Sequence, residues 1–464
     1  MNAAARTPLP GLQKAIDELR GAFGERLSTA QAVREQHGKD MTWHEGLPPD
    51  AVVFARSTEE VQEAVGICAR HAVPIIAYGA GSSLEGHINA PRGGVTVDLS
   101  GMDSILELNA EDLDVTVQPG VTREALNTYL RDTGLFFPID PGANATLGGM
   151  TATRASGTNA VRYGTMADNV LALEVVLPDG TLARTGTRAR KSSAGYDLTH
   201  LFVGSEGTLG IVTRITLRLH GIPETVSAAA CAFETLEGAV RTTMETIQLG
   251  IPIARIELLD DVQIDAVNRH SGMSLPVCNT LFLEFHGTAA SVAEQIETVR
   301  ELAVANGGLG FEWATRAEDR AALWKARHHA LFAAKALRPA SDVFISDVCV
   351  PISRMAGCIL ETRADIEQAG LLAPIVGHVG DGNFHVLFVF DPSDAAERER
   401  VSDINGRMLK RALAAGGTCT GEHGVGIGKK HYLRAEHGDR AVDLMAALKR
   451  AIDPQGLMNP EKIL

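Results

Sequence analysis

A buried strand that runs directly into a glycine-rich loop is the feature that most restricts the fold of this chain. The apolar run from Val73 to Ala77 predicts the strand, and Tyr78-Gly79-Ala80-Gly81-Ser82-Ser83-Leu84-Glu85-Gly86 follows at once. In a nicotinamide dinucleotide fold, a third glycine opens a helix under the pyrophosphate, but Leu84 occupies that position here. Successive backbone N–H groups can cradle a diphosphate without such a helix, although a plain glycine turn explains this loop equally well.

The segments around this loop predict short strands and capped helices. Ser57-Thr58-Glu59-Glu60 is a capping box for a helix that we expect to end near His71. Alternating segments at 95–99, 105–109 and 114–118 predict small antiparallel strands. A helix is predicted from about Thr122 to Thr133, ending before Gly134, and a hairpin is predicted over 171–184. After Ile222, helical patterns alternate with longer strand-like runs, which indicates a second domain.

Composition excludes several classes of function. The net charge is −14 and no run of Lys or Arg reaches five residues, so nucleic acid is not an expected partner. The six cysteines have no CxxC spacing, which argues against an iron–sulfur cluster and favours free thiols in a reducing compartment. The N-terminal segment has no apolar signal-peptide core, and no stretch is apolar over a bilayer's width. We therefore expect a cytoplasmic protein with at most peripheral membrane contact.

Four ordered motifs carry a resemblance to a known family. They are YGAGSSLEG (78–86), PGANATLGGM (141–150), ASGTNAVRYGTMADN (155–169) and FVGSEGTLGIVT (202–213). Together they resemble the flavin domain of the vanillyl-alcohol oxidase superfamily. The sequence is most similar to the branch that contains D-lactate dehydrogenase (cytochrome) and the D-type subunit of glycolate oxidase, from about residue 50 to the C-terminus.

The resemblance implies FAD as cofactor. The pyrophosphate would lie on Tyr78, Gly79, Ala80, Gly81, Ser82 and Ser83; the ring and ribityl contacts would come from Pro141, Gly142, Thr146, Gly148, Gly149 and Ser156; and the adenine side would involve Glu206, Gly207, Gly210, Val212 and Asn459. Covalent members of the superfamily often carry a His near the tip of the first loop. Serines stand there in this chain, so the FAD is expected to be non-covalent, with His87 as a solvent or packing histidine.

The resemblance also implies an α+β fold. A PCMH-type FAD-binding domain of two subdomains would be joined to a cap domain with an antiparallel sheet flanked by helices. The expected bounds are a helical lead-in over 1–48, the FAD domain over 49–222, the cap with a metal site over 223–424, and a C-terminal segment over 425–464 that returns to the FAD domain.

A predicted hairpin presents two histidines. Asp381-Gly382 favours a two-residue type I′ turn, which would pair His378 with His385 across the strands. The Cβ atoms of such a pair lie roughly 4.5–5.5 Å apart, so the two imidazoles can chelate a divalent ion, although a polar cross-strand pair is the simpler alternative. The loop Thr420-Gly421-Glu422-His423-Gly424 offers a carboxylate. We therefore predict a site of His378, His385 and Glu422 for Zn²⁺, Mn²⁺ or Fe²⁺.

Two further residues receive roles from the resemblance. His423 would act as the base that takes the hydroxyl proton, and Arg327, three residues after Trp324, would hold the substrate carboxylate. The branch specific for 2-hydroxyglutarate places a Lys two residues before an Asp, and Ile345 stands at that position before Asp347. A dicarboxylate is therefore disfavoured.

The predicted activity is the metal-assisted oxidation of a small, D-lactate-like 2-hydroxy acid to the keto acid, with hydride transfer to flavin N5. Electrons would pass to an external acceptor (a cytochrome, a quinone or an electron-transfer flavoprotein), and a homodimer is compatible with the sequence. The alternatives are a glycolate oxidase-type subunit, a D-2-hydroxyglutarate-type dehydrogenase, ether exchange as in alkyl-dihydroxyacetonephosphate synthase, a flavin-free metal hydrolase, and a non-enzymatic flavin-carrying subunit of an oxidase complex. The non-enzymatic alternative predicts that the residues of the metal and substrate site have been lost. The sequence retains them at His378, His385, Glu422, His423 and Arg327.

Overall fold

The computed structural model describes residues 8–40 and 42–464, so the predicted lead-in over 1–48 falls partly outside the described residues. Packing divides the chain into two compact units. The first contains the residues up to Ser156, 164–222 and 422–464, and the second contains 157–163 and 223–421. The domain bounds expected from the sequence remain predictions.

The described part of the chain alternates short helices and strands. Up to residue 222 the elements are α1 (Leu12–Phe23), β1 (Leu27–Ser28), α2 (Gln31–Gln36), β2 (Ala51–Phe54), α3 (Thr58–Arg70), β3 (Ile75–Tyr78), β4 (Val95–Asp98), β5 (Ile105–Asn109), β6 (Asp114–Val117), α4 (Arg123–Leu130), β7 (Leu135–Phe136), α5 (Leu147–Thr153), α6 (Ala160–Tyr163), α7 (Met166–Asn169), β8 (Val170–Val176), β9 (Leu182–Arg184), α8 (Leu198–Phe202), β10 (Ile211–Arg218) and β11 (His220–Gly221). From residue 223 they are β12 (Thr225–Phe233), α9 (Leu236–Gln248), β13 (Ile253–Leu259), α10 (Asp261–Ser271), β14 (Asn279–Gly287), α11 (Ala289–Ala305), β15 (Gly308–Ala314), α12 (Ala317–His328), α13 (Ala330–Ala336), β16 (Asp342–Ile345), β17 (Val348–Cys349), α14 (Ile352–Ala369), β18 (Ile375–His378), β19 (Asn383–Phe390), α15 (Ala395–Ala414) and α16 (Leu433–Ile452).

Over its described residues, the first unit contains three sheets. A four-stranded sheet has the order β1-β2-β4-β3, a five-stranded sheet has the order β5-β6-β10-β8-β9, and β7 pairs with β11. The predicted antiparallel pairing is confirmed for β5 and β6, but it is wrong for residues 95–99. Strand β4 lies between β2 and β3 and is parallel to both, because crossover connections rather than tight turns join these strands.

The first helix-capping signal of the sequence marks the start of a helix in the first unit. The backbone nitrogen of Glu60 donates to Ser57 Oγ at the start of α3, which ends before His71. Apolar residues of α1 and α3 pack on the four-stranded sheet, in a core that includes Leu19, Val65 and Val97. A separate core beside the five-stranded sheet includes Leu126 and Ile215. The glycine-rich loop therefore follows a strand, β3, whose first two residues are buried.

The second unit is built on one antiparallel sheet of eight strands, in the order β15-β12-β14-β13-β18-β19-β16, with β17 paired to β19. Phe282, Val376 and Leu387 lie in a core with Trp324 of α12 and residues of α10 and α13, so these helices cover one face of the sheet. Side chains two positions apart in a strand share a face. Glu284, His378 and His385 therefore lie on this same helix-covered face. The mixture of helices and sheets in both units confirms the predicted α+β class.

Candidate flavin and metal sites

The structure brings two of the predicted flavin motifs together in the first unit. A Cβ atom on Gly79 would collide with Thr146 Oγ1, so the first loop passes directly beside the start of α5. Gly81 has a φ of +64°, and a Cβ there would lie 2.6 Å from the Tyr78 hydroxyl oxygen. Thr146 caps α5 by accepting from the backbone nitrogen of Gly149. Both glycines are therefore required by close approach, which a plain surface turn would not demand.

The C-terminal tail joins the same region. Asn459 donates through Nδ2 to the carbonyl oxygen of Glu206 at 2.7 Å, and its backbone nitrogen donates to the carbonyl oxygen of Ile75 at 2.8 Å. Gly207 has a φ of +71°, and a Cβ on it would lie 3.8 Å from Ala77 Cβ and 3.9 Å from Asn459 Cβ. The SEGT segment (Ser205-Glu206-Gly207-Thr208) and the tail thus meet beside β3, the strand that runs into the first loop.

Three of the predicted flavin residues are packed closely against their neighbours. Val212 belongs to β10 and its side chain is buried in the core beside the five-stranded sheet. A Cβ on Gly210 would lie 2.6 Å from Val175 Cγ1, and one on Gly148 would lie 2.5 Å from Pro119 Cβ. Any contact of these three residues with FAD would therefore involve the backbone. Pro141 and Ser156 are half-buried and Gly142 is exposed.

Glu206 has a second set of partners that the sequence does not reveal. Its carboxylate accepts from the backbone nitrogens of Val425 at 2.6 Å and Gly426 at 2.9 Å. His87 Nε2 lies 3.3 Å from the same carboxylate, and the imidazole is buried. Burial lowers the pKa of His87, but the charge and hydrogen bond of Glu206, together with the charges of Asp40 and Glu85, raise it above its ordinary value. His87 is therefore a buried histidine that faces a carboxylate, and not one that lies in solvent.

Further charges are buried close to this pair. Lys429 Nζ lies 3.2 Å from Glu85 Oε1, and it lowers the pKa of that carboxyl although burial alone would raise it. Lys462 donates through Nζ to the carbonyl oxygen of Asn89 at 2.7 Å. Burial lowers the pKa of Lys462 to about 7. Burying a charge costs free energy unless the charge is paired. The contacts of Lys429 with Glu85 and of Lys462 with Asn89 supply such partners.

In the second unit, the histidine hairpin differs in register from the prediction. His378 pairs with Asn383, and His385 pairs with Val376, so four residues (379–382) form the loop instead of two. Gly382 has a φ of +80°, whereas a type I′ turn needs positive φ at Asp381 as well, and Asp381 does not have it. The slip is two residues, so the side chains keep their face. The two rings are diagonal neighbours, with centroids 5.5 Å apart.

Hydrogen bonds fix the tautomers of both imidazoles. Nδ1 of His385 lies 2.9 Å from the carbonyl oxygen of Ser346, which can only accept, so Nδ1 carries the proton. Nδ1 of His378 lies 2.7 Å from Glu257 Oε1. In a neutral ring Nε2 then holds the lone pair in both residues. Ligand nitrogens of the two rings lie within 4.8 Å of each other, as a shared ion requires.

Arg327 lies on α12, as predicted, and contacts the same carboxylate as His378. Its Nε donates to Glu257 Oε2 at 2.7 Å. Glu257 is completely buried, and burial alone would raise its pKa. The neighbouring His378 and Arg327 lower the pKa of Glu257 below its ordinary value, so the group is an anion at neutral pH. The sequence analysis assigned no role to Glu257. Its position could have drawn attention, because it is a charged residue within the largely apolar strand β13, on the same face as the buried Leu259.

A second buried carboxylate of this site, Asp347, lies beside His385. Asp347 Oδ1 is 3.7 Å from His385 Nδ1 and accepts from Asn383 Nδ2 at 2.7 Å, while its Oδ2 accepts from Thr420 Oγ1 at 2.7 Å. A Cβ on Gly421 would collide with Asn383, so the chain passes tightly against these side chains. Glu422, the predicted carboxylate ligand, is the next residue. His423 follows, with Nε2 3.9 Å from Glu422 Oε1.

Comparison with known proteins identifies the family. Residues 49–186 match the FAD binding domain, and residues 222–463 match the family described as FAD linked oxidases, C-terminal domain. The chain belongs to the FAD-linked oxidase family. It is an FAD-dependent oxidoreductase, as predicted.

Two curated relatives cover nearly the whole chain. "Probable D-lactate dehydrogenase, mitochondrial" from Danio rerio is 54% identical over 98% of this chain and 92% of its own length. "D-lactate dehydrogenase [cytochrome], mitochondrial" from Arabidopsis thaliana is 46% identical over 97% of this chain and 80% of its own length. The crystal structure of p-cresol methylhydroxylase with substrate bound has a TM-score of 0.76 at 19% identity, over 99% of this chain and 98% of that one. The PCMH-type fold is confirmed.

The names of these relatives overturn one expectation. The lack of an apolar signal-peptide core predicts a cytoplasmic location, but both relatives are named as mitochondrial. The inference fails for a physical reason, because mitochondrial targeting depends on amphipathic segments rather than on an apolar core. None of the helices over residues 8–40 and 42–464 combines the length and apolar character needed to span a bilayer.

Proposed function

We propose that this chain oxidises D-lactate, or a similar small D-2-hydroxy monocarboxylate, to the 2-keto acid, with FAD as the electron acceptor and a divalent ion held by His378, His385 and Glu422. The names of the relatives supply the substrate class. The D configuration and the small size of the substrate are carried over from them, together with the transfer of electrons to an external acceptor such as a cytochrome.

The observation that carries the metal proposal is the pair of fixed tautomers. His378 and His385 each donate from Nδ1 to an oxygen, so in each neutral ring Nε2 is the nitrogen whose lone pair can bind a metal. Two imidazoles and a carboxylate form a donor set that suits Zn²⁺, Mn²⁺ or Fe²⁺. Asn383 Oδ1 is a buried oxygen without a hydrogen-bond partner among the described residues, beside the same histidines, and it supports a polar ligand there.

The residues of the chain have separate roles in this proposal. Arg327 uses Nε for Glu257, and its two terminal nitrogens form the fork that suits a substrate carboxylate. His423 accepts the hydroxyl proton, and such a base contributes about 10²–10⁴-fold in rate. When bound, the divalent ion would acidify the substrate hydroxyl, and FAD would take up the two electrons.

We infer non-covalent FAD from the composition of the first loop. Ser82 and Ser83 stand where covalent relatives carry a histidine, and the Ser83 hydroxyl donates to Asp40 Oδ2 at 2.8 Å. His87 is engaged with Glu206, which disfavours it as an attachment point. Denaturation in acid should therefore release all of the flavin into the supernatant. Flavin retained on the precipitated chain would contradict this part of the proposal.

Anaerobic reduction of the bound flavin tests the substrate. The holoenzyme should lose its oxidised flavin absorbance with D-lactate, and far more slowly with L-lactate, glycolate or D-2-hydroxyglutarate. The preference over D-2-hydroxyglutarate is expected because Ile345 offers no cation to a second carboxylate. Equal reduction by glycolate would favour the glycolate oxidase alternative. The absence of reduction by any D-2-hydroxy acid would refute the proposed function.

A further inference from the structure

Glu257 is the one residue that contacts both His378 and Arg327 within the described hydrogen-bond network. It lies on β13, whereas His378 ends β18 and Arg327 lies on α12. Its carboxylate divides between them: Oε1 meets His378 Nδ1 at 2.7 Å, and Oε2 accepts from Arg327 Nε at 2.7 Å. The side chain is fully buried, so no water competes for either oxygen.

If Glu257 served only as a structural ion-pair partner of Arg327, its contact with His378 would have no explanation. A buried carboxylate is expensive and adds little net stability compared with an apolar residue of similar size. Here the carboxylate also fixes the proton of His378 on Nδ1. Nδ1 of His385 donates to a backbone carbonyl and lies 3.7 Å from Asp347, whereas Nδ1 of His378 contacts the Glu257 carboxylate at 2.7 Å. Glu257 therefore increases the basicity of His378 through a direct hydrogen bond.

We propose that Glu257 is a positioning residue that couples the metal site to the substrate carboxylate site. One oxygen would hold His378 as a metal ligand through Nε2, and the other would orient the guanidinium fork of Arg327. The inference rests on the proposed function, because it takes His378 as a metal ligand and Arg327 as the substrate contact.

The substitution Glu257→Gln replaces one of the two carboxylate oxygens by an NH₂ group. An amide has one accepting oxygen and one donating NH₂ group, so it can satisfy either His378 or Arg327 but not both. The matched control is Glu284→Gln. Glu284 is also a buried carboxylate on the same sheet face, and it contacts a histidine (His286, 2.9 Å) and an arginine (Arg255, 3.5 Å).

Metal affinity is measured by titrating the metal-free flavoprotein with Zn²⁺ against a chromophoric chelator. Glu257→Gln should bind Zn²⁺ about 10–100-fold more weakly than the unmodified protein, while Glu284→Gln should bind it equally well. The absorption spectrum of bound Co²⁺ should also change in Glu257→Gln, since one imidazole is reoriented. In turnover, Glu257→Gln should raise the KM for D-lactate, and Glu284→Gln should not.

The outcomes separate this inference from the proposed function. His378→Ala is included in the same titration, and unchanged Zn²⁺ affinity in that variant would refute the metal site itself. Weakened binding in His378→Ala but not in Glu257→Gln would refute only the positioning role. Equal weakening in Glu257→Gln and Glu284→Gln would assign the effect to general damage and overturn the inference. If Glu257→Gln does not fold, Glu257→Asp takes its place: weakened Zn²⁺ binding with retained flavin supports the role, and unchanged binding opposes it.

Discussion

The carboxylate of Glu206 lies 2.6 Å from the backbone nitrogen of Val425, although 219 positions separate the two residues. Glu206 belongs to the SEGT segment that resembles a flavin motif, and Val425 follows the proposed catalytic residue His423 by two positions. This hydrogen bond therefore links the fixed geometry of the flavin motif to the loop that carries the base.

Glu206→Gln should loosen that loop. An amide can accept from only one of the two backbone N–H groups, and a lost bond to a charged group costs about 1.5–3 kcal/mol. We expect the free energy of unfolding to fall by about 1.5–3 kcal/mol. We expect kcat to fall at least tenfold, because the loop that carries His423 is held less firmly. Stopped-flow flavin reduction and urea unfolding would measure the two effects. Glu111→Gln, at an exposed glutamate of the same unit, is the control, and equal behaviour of the two variants would contradict the role of Glu206.

His423→Ala should reduce the rate of flavin reduction by about 10²–10⁴-fold, because the hydroxyl proton loses its acceptor. FAD content should remain complete, since the first loop and the tail are unchanged. His431→Ala removes an exposed histidine from the same segment and should leave the rate unaltered. A rate loss below tenfold in His423→Ala would assign the proton to another group.

Arg327→Met should raise the KM for D-lactate by about 10–100-fold, which corresponds to the roughly 1.5–3 kcal/mol of a hydrogen bond to a charged group. It also leaves one oxygen of the buried Glu257 without its partner, so a lower melting temperature is expected. Lys325→Met on the same helix changes an exposed side chain and serves as the control. A normal KM in Arg327→Met would remove Arg327 from the substrate site.

Lys462 should make stability depend on pH in an unusual direction. Its pKa of about 7 in the fold lies below the ordinary value of 10.5, because burial disfavours the charged amine. Between these values the unfolded chain binds more protons than the folded one, so the free energy of unfolding rises with pH. From about pH 6.5 to about pH 8.5 this contribution amounts to about 2 kcal/mol. Urea unfolding of the protein and of Lys462→Met should show this slope only in the former; parallel pH profiles would contradict it.

The sequence predicted the parts of the fold that depend on local signals. Ser57 caps a helix where expected, and the hairpin over 171–184 forms as β8 and β9. The reciprocal half of the predicted capping box does not form, because the Glu60 carboxylate accepts from the backbone nitrogen of Arg56 instead of Ser57. The parallel pairing of β4 with β2 and β3 was missed, because alternating residues do not distinguish a parallel neighbour from an antiparallel one. The flavin motifs could be recognised because each is a continuous string.

The candidate metal site was predictable only in part. His378 and His385 lie seven positions apart, so a hairpin was enough to bring them to one face. Glu257 is 121 positions from His378 and 70 from Arg327, and no short-range pattern joins such residues. The prediction of a two-residue turn between the histidines was wrong. Asp381-Gly382 is typical of such a turn, but here Gly382 adopts its positive φ at the end of a four-residue loop.

The register of that hairpin has a consequence for how the site tolerates change. Pairing shifted by two residues keeps both imidazoles on the helix-covered face, whereas a shift by one would turn one ring to the opposite side of the sheet. The pairing register beside loop 379–382 can therefore shift only by an even number of residues if both imidazoles are to stay on one face. A single-residue insertion between His378 and His385 that the loop did not absorb would disrupt the proposed metal site without removing either histidine. The spacing between the two histidines is thus as much a part of the site as the side chains themselves.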